Sequence, residues 1–350
     1  MRRRPRESGI ALLITLLVVA LLMILVIEFT YSTEVEAHLT RNALSSLQAR
    51  YLARAGLTLA ETLLKLDVKD KTANPPARPN VESLLDPWAQ PFPPRPVGEG
   101  VGDAGFRIDD ESGRFNINAL AKRPGAGSPV TLEAYKTVFQ GILGAIGLDV
   151  NLLFPLLDWL DADDEVTGKS GAEREYYEGL TPPYDPRNGR ALTFDELRLV
   201  RGFEQLSRDQ WAALRSAVTV LPNEQLLINV NTASELLLTG VLGAVDDPAA
   251  AKAIIARRDQ NPFVNAGELN EIPGWSQVPP QVRAIFTQHS TYFTIHAVGI
   301  AANVSRGLAV LEQRGGQRLE VIDRREEAGT VALTSSGPSD GINSFTSMSR

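Results

Sequence analysis

The sequence predicts an α+β protein: a long amino-terminal helix packed on a small antiparallel sheet, with a large all-α domain inserted between the strands. Three observations predict this. An apolar run from Ile10 to Ile27 passes without proline into an amphipathic repeat that reaches Leu66. Alternating apolar and polar residues, the period of a half-buried strand, occur in two groups, one after Gly105 and one after Tyr292. Between these groups, residues 119–289 carry helical periods and helix-capping signals instead.

The leading MRRRPRESG carries four arginines and one glutamate, and the next eighteen residues, IALLITLLVVALLMILVI, have Thr15 as their only polar side chain. A run of this length is near the lower limit for crossing roughly 30 Å of hydrocarbon, so residues 10–27 are expected to span a membrane once. Arginines on the short leading side predict a cytoplasmic amino terminus and a head on the far side. An ordinary secretory signal peptide would need small residues after the run, and Glu28, Phe29, Thr30 and Tyr31 do not supply them. Beyond the run, Val35, Leu39, Leu44, Leu47, Tyr51, Leu52, Leu59 and Leu63 recur at helical spacing with Gly56 as the one glycine. Ile10 to Leu66 therefore reads as one helix on the order of 85 Å long. Its outer half should pack one face on the head, and Leu39, Leu44, Leu47 and Leu52 are candidate knobs for partner helices.

Residues 28–118 should hold the rest of this stalk and the first strands. The segment from Asn74 to Gly102, rich in proline and glycine, reads as a surface connection. GFRIDDESGRFNIN, Gly105 to Asn118, reads as a hairpin turning at Glu111, Ser112 and Gly113. Leu132–Phe154 and Phe194–Val220 read as helices. In 228–275, Asn231 and Thr232 precede one apolar helix and Asp247 precedes another that opens with Pro248. Residues 290–325 hold the last strands, and the Ser/Gly/Thr-rich 326–350 is expected to be disordered.

Composition narrows function. The formal net charge of the 350 residues is −7, against the clustered cations that a general nucleic-acid binder needs. There is no cysteine, and His38, His289 and His296 are far apart in sequence, which leaves thiolate sites and a histidine-based zinc site or triad without support. No nucleophile or phosphate-loop motif is present, and no enzymatic activity is expected.

One stretch carries chemistry: DWLDADDEVTGKSGAEREYY, Asp158 to Tyr177. Glycosidase carboxylates stand across a cleft on different elements, whereas Asp161, Asp163, Asp164 and Glu165 crowd one loop, where repulsion calls for a cation. Calcium takes six to eight oxygen ligands and suits such a set, with Glu173 or Glu175 brought round by Gly168 and Gly171. The loop is not an EF-hand, because Val166 and Ala172 occupy the positions of that motif's glycine and final glutamate. A solvated loop with Asp161 capping a helix is the alternative reading.

The basic leader ending in glycine, the apolar segment behind it and the unbroken helix resemble a type IV pilin-like precursor. That resemblance implies that a prepilin peptidase cuts between Gly9 and Ile10 and methylates the new amine. Loss of the leader, net +3, would take the chain from −7 to −10. Pilins carry glutamate at the fifth residue after the cut; here it is Ile14, which suits a subunit that need not neutralise a neighbour's amine inside an apolar filament. The unit at 228–275 resembles helix-hairpin-helix and SAM-like modules, and a membrane-anchored DNA-uptake receptor joins the same two parts. Against it, the turn GVLGAVDDP places Asp246 and Asp247 where phosphate would approach, opposed by Lys252, Arg257 and Arg258.

ESGIALLITLLVVALL, the missing pilin glutamate, DESGRFNINAL, LLDWLDADDE, GAEREYY, LTFDELRLVRGF and INVNTA occur in that order. Together they resemble the minor pseudopilin K family of type II secretion systems. The resemblance implies a pilin-like fold with a helical insertion, a place at the tip of a periplasmic pseudopilus anchored in the inner membrane, and calcium held by the acidic residues above. It implies assembly with the minor pseudopilins I and J, with H as a further candidate, on the major pseudopilin, and no nucleic acid.

Overall fold

The computed structural model describes residues 8–121, 132–243 and 248–329. The chain opens with α1 (Ser8–Thr72), a single helix of 65 residues. At 1.5 Å per residue it is about 97 Å long. It is followed by β1 (Phe92–Gly98) and β2 (Gly102–Asp110). The chain then leaves through β3 (Phe115–Asn116), α2 (Leu132–Ile146), α3 (Leu153–Leu160), α4 (Arg174–Glu178), α5 (Arg208–Ala217), β4 (Val218–Thr219) and β5 (Ile228–Asn229). It continues through α6 (Glu235–Gly243), α7 (Pro248–Arg258), α8 (Pro280–Arg283) and β6 (Phe286–Thr287), and returns as β7 (Tyr292–Ala301), β8 (Val304–Gly315) and β9 (Arg318–Ala328).

Five strands form one antiparallel sheet in the order β1-β2-β7-β8-β9. The stalk packs across β2, β7 and β8. Its buried positions Ala49, Leu52, Ala53, Leu57, Ala60 and Leu64 recur three or four residues apart, which sets them on one side of the helix. Close approach is needed here: a Cβ on Gly299 would stand 2.1 Å from the carbonyl oxygen of Ala49. Nearer the membrane, Ala49 and Leu52 meet Ala104 and Ala301; further out, Leu57, Ala60 and Leu64 meet Phe106, Ile108, Phe293, Ile295 and Val310. The strand β7 thus runs from the outer end of the stalk at Tyr292 back toward the membrane.

The insertion is therefore rooted at the membrane-distal end. Its roots are tied to the sheet by shared polar contacts. Asp110 Oδ2 accepts the hydroxyls of Thr232 and Ser290, both at 2.5 Å, and burial pushes this carboxyl up to about 6. Glu111 accepts the hydroxyls of Thr219 and Thr294, each at 2.6 Å. Beside this root the last turns of α1 and the following loop bury three carboxylates among three cations. Lys71 Nζ lies 2.9 Å from Asp67 and 2.7 Å from Asp86; Arg78 lies 3.1 and 3.0 Å from the same two; Arg314 pairs with Asp67 at 3.4 Å and with Glu82.

Several expectations are corrected. The stretch read as a surface connection contains β1, whose Pro93, Pro94 and Pro96 are tolerated because it is an edge strand. The expected hairpin at Glu111–Gly113 is absent: Asp110 Oδ1 accepts the Ser112 N–H at 2.8 Å, a 3-10 turn follows, and Phe115 and Asn116 pair in parallel with Val218 and Thr219. Phe115, fully buried, is drawn into the core of the insertion. The helix expected over Leu132–Phe154 stops at Ile146, because Gly147 turns left-handed at φ +77°. Phe194–Val220 is likewise broken, with 3-10 turns before α5. The last strand extends to Ala328, into the segment expected to be disordered; residues 330–350 lie outside the described residues, as do leader residues 1–7.

Candidate functional site

The acidic stretch is built on α3, whose sequence LFPLLDWL is buried along almost its whole length. Inside its last turn sits Asp158, a carboxylate with no exposure at all. Its Oδ1 accepts the Thr167 N–H at 3.0 Å and its Oδ2 the Ala172 N–H at 2.7 Å, so one buried side chain ties down both ends of the returning loop. Burial holds this carboxyl above the usual range against those hydrogen bonds. The loop closes only because position 171 is glycine: a Cβ there would stand 2.3 Å from Asp158 Oδ2. Gly168 supplies the left-handed turn at φ +66° over the Phe154 ring.

Held this way, Asp161, Asp163 and Glu173 each bring one carboxylate oxygen within 4.8 Å of the other two. Asp161 follows the last residue of α3, and its N–H donates to Leu157 O at 2.9 Å, so it ends that helix rather than starting one. Glu173 precedes α4 and is 4% exposed. Neither of its carboxylate oxygens has a hydrogen-bond partner, and both are buried. Burial, and then the carboxylates of Asp158, Asp161, Asp164 and Asp163, push it up to about 7. An oxygen-only set of this kind matches a hard divalent cation.

The five predicted acidic residues thus divide. Asp164 turns to the rim, where its Oδ1 accepts Asn188 Nδ2 at 3.1 Å and lies 3.7 Å from Arg174 Nε. Glu165 is exposed and contributes its N–H to Asp163 Oδ1 at 3.0 Å. Sequence reasoning did not single out two further residues, Asp158 and Asn188. A carboxylate inside the apolar LFPLLDWL was the available signal for Asp158, because such a position is buried and must find donors. Nothing in the sequence placed Asn188 beside the loop.

Of the stalk leucines, Leu39, Leu44 and Leu47 are at least half exposed, whereas Leu52 is 4% exposed. Leu52 is corrected: it belongs to the helix–sheet core with Ala49, Ala104 and Ala301, and cannot serve as a knob. Gly9 and Ile10 stand in the first turn of α1, and the 18-residue apolar window near this end has mean hydropathy 3.4 with none of it buried. The helix is long and apolar enough to cross a membrane once.

The helix-hairpin-helix reading fares differently. Asp246 and Asp247 lie outside the described residues. Arg258 is buried and donates to Val230 O at 2.8 Å and Ala233 O at 2.5 Å, and Arg257 is engaged with Asn261 O and Glu268. Two of the three cations counted for phosphate are structural.

Comparison with known proteins agrees with this architecture. Two family models of type II secretion system protein K match residues 113–223 and 228–290. A type II secretion system protein K from Pseudomonas aeruginosa is 33% identical over 272 residues, 77% of each chain. One from Aeromonas hydrophila is 29% identical over 336 residues, 93% of this chain and 98% of its own length. A chain in the crystal structure of the GspK-GspI-GspJ complex from the enterotoxigenic Escherichia coli type 2 secretion system superposes with a TM-score of 0.69 at 20% identity, over 82% of this chain and 99% of that one. Fold and exposed apolar stalk define a pilin-like subunit that carries a helical insertion. The chain belongs to the type II secretion system protein K family, the K-type minor pseudopilins.

Proposed function

We propose that this subunit sits at the tip of a periplasmic pseudopilus, where it caps the filament and helps to initiate it during export of folded proteins. The peptidase would cut between Gly9 and Ile10 and methylate Ile10; residues 10–27 would hold the chain in the inner membrane, with the head in the periplasm. The minor pseudopilins I and J would pack on it, with H and the major pseudopilin below, and Leu39, Leu44 and Leu47 would be the apolar contacts. The role is structural and involves neither catalysis nor nucleic acid.

One observation carries this reading: the insertion is rooted at the outer end of the stalk, beside Asp67 and Lys71, where a next subunit would otherwise stack. The solved complex that this chain resembles supports I and J as the partners to test. Calcium fits the acidic loop, since the orphaned oxygens of Glu173 converge with Asp161 and Asp163. Bound there, it would supply the positive charge that lets Glu173 stay ionised.

The full chain in detergent, mixed with the I and J subunits of the same organism, should co-elute with them in size-exclusion chromatography and leave duplex DNA unretarded at physiological salt. Separate elution of the subunits, or a DNA complex, would defeat the reading.

A further inference from the structure

On β8, Val310, Glu312 and Arg314 follow at period two, and Val310 lies in the core under the stalk, so all three point at α1. Cross-strand pairing agrees, since Glu312 sits opposite Phe293, another residue of that core. Arg314 finds acids there: Asp67 on the stalk at 3.4 Å, and Glu82. Glu312 meets an acid instead. Its counterpart is Glu61, under two turns before Asp67 on the same helix. Beside it the ladder is interrupted, because β9 places Ile322 as an extra residue between the partners of Leu311 and Glu312.

Burial makes charge costly at this contact. Glu312 is 1% exposed, and its Oε2 is buried without a hydrogen-bond partner. Two carboxylates offer each other only acceptors, so the pair closes only when one of them carries a proton and donates it to the other. Around the pair, α1 adds Lys65 and β9 adds Arg324; both are exposed, whereas Arg314 is engaged with Asp67 and Glu82. These two solvated cations are outweighed: burial, and then the charge of Glu61, push the Glu312 carboxyl up to about 7.

We propose that Glu61 and Glu312 are a proton-operated clasp: sharing one proton they fasten the outer half of the stalk to the sheet, and on losing it they push the two apart. The protonated carboxyl of Glu312 donates its O–H to the Glu61 carboxylate. Deprotonation hands that proton to solvent and leaves two negative charges facing across the helix–sheet contact. Along the seam the clasp lies between the close approach of Gly299 to Ala49 and the ion pairs of Asp67, Lys71 and Arg314. It is a feature of the folded head and does not depend on the filament reading.

Hydrogen–deuterium exchange of the full chain in detergent, read by mass spectrometry, reports opening of stalk peptides around Glu61 and of β8 peptides around Glu312. Comparing chains at one pH cancels intrinsic exchange and the titration of groups common to both. A carboxyl held near 7 in the clasp and ordinarily near 4.5 favours the closed state below 4.5 and loses that contribution as pH rises through 7. Opening of wild type relative to E312Q should therefore rise about tenfold between about pH 6 and about pH 8. In E61Q, measured against E61Q/E312Q, the rise should level off at lower pH, a shift that burial of Glu312 alone would not produce. If E312Q is misfolded, the same rise read against E61Q decides. A ratio that stays within about twofold across this range, or a rise at the same pH with and without Glu61, overturns the clasp. Neither outcome bears on calcium or on the filament reading.

Discussion

At the root of the insertion, Asp67, Glu82 and Asp86 are buried beside Lys71, Arg78 and Arg314, so each carboxylate has a cation from its own chain. In the acidic loop, Glu173 is buried to the same degree, yet its neighbours are carboxylates and its oxygens accept no hydrogen bond. The two regions confine the same chemical group. The first is matched by ion pairs from its own chain, although burial still holds the Asp67 carboxyl above its usual range, and it links stalk, sheet and insertion. The second has its carboxylates matched only when protonated or when a cation is supplied, which makes it a part of the head that can respond to its surroundings. A buried carboxylate therefore says little about function until its neighbours have been counted.

The largest effect is expected where the charges are already matched. Lys71→Met should leave Asp67 and Asp86 to Arg78 and Arg314 alone, one cation short for three buried carboxylates, and cost up to about 3–5 kcal/mol, read as a lowered melting temperature with or without calcium. A loss no greater than that of an exposed pair would mean that the buried network is not closed as described.

A smaller effect is expected in the loop. Millimolar calcium should raise the melting temperature, with stabilisation of about 2.7 kcal/mol when the ion is at a hundred times its Kd, and Glu173→Gln should remove most of that gain. The same residue sets a pH signature. Its carboxyl, ordinarily near 4.5, is held near 7 in the fold. Between these values the folded state retains the proton that the unfolded chain has lost, so this group's contribution is present below 4.5 and is lost as pH rises through 7. In calcium-free buffer, Glu173→Gln should therefore be more stable than wild type at about pH 8 and close to it at about pH 5, and calcium should close the gap. A pH-independent difference would erase the contrast between the two regions.

The smallest effect concerns Arg50 and Glu326, paired in solvent. Glu326→Ala should change stability by less than about 1 kcal/mol. A larger loss would mean that exposed pairs matter here as buried ones do.

What the sequence disclosed and withheld follows physical lines. The stalk was legible because one uninterrupted helical period covers it, and the last three strands because their alternation meets Gly315 and Gly316 at the turn. Leu52 was misread because periodicity marks an apolar face without saying whether the sheet or a partner covers it. The strand β1 was hidden by its prolines, whose meaning depends on lying at an edge, and the fate of Phe115 depended on a parallel partner more than a hundred residues away. In the loop, the sequence announced the carboxylates but could not separate the convergent Asp161, Asp163 and Glu173 from Asp164 at the rim and Glu165 in solvent. That division is set by Asp158 and Gly171, through contacts between residues that the loop brings together.

The chain departs from the sheet after Asp110 and comes back at Tyr292, on strands that lie side by side with Asp110 opposite Phe293. A short turn joining those two strands would leave the five-stranded body and its rod topologically whole. The crown is thus an appendage grafted at a single joint, so a lineage could gain, enlarge or discard it without rewiring the shaft that carries it.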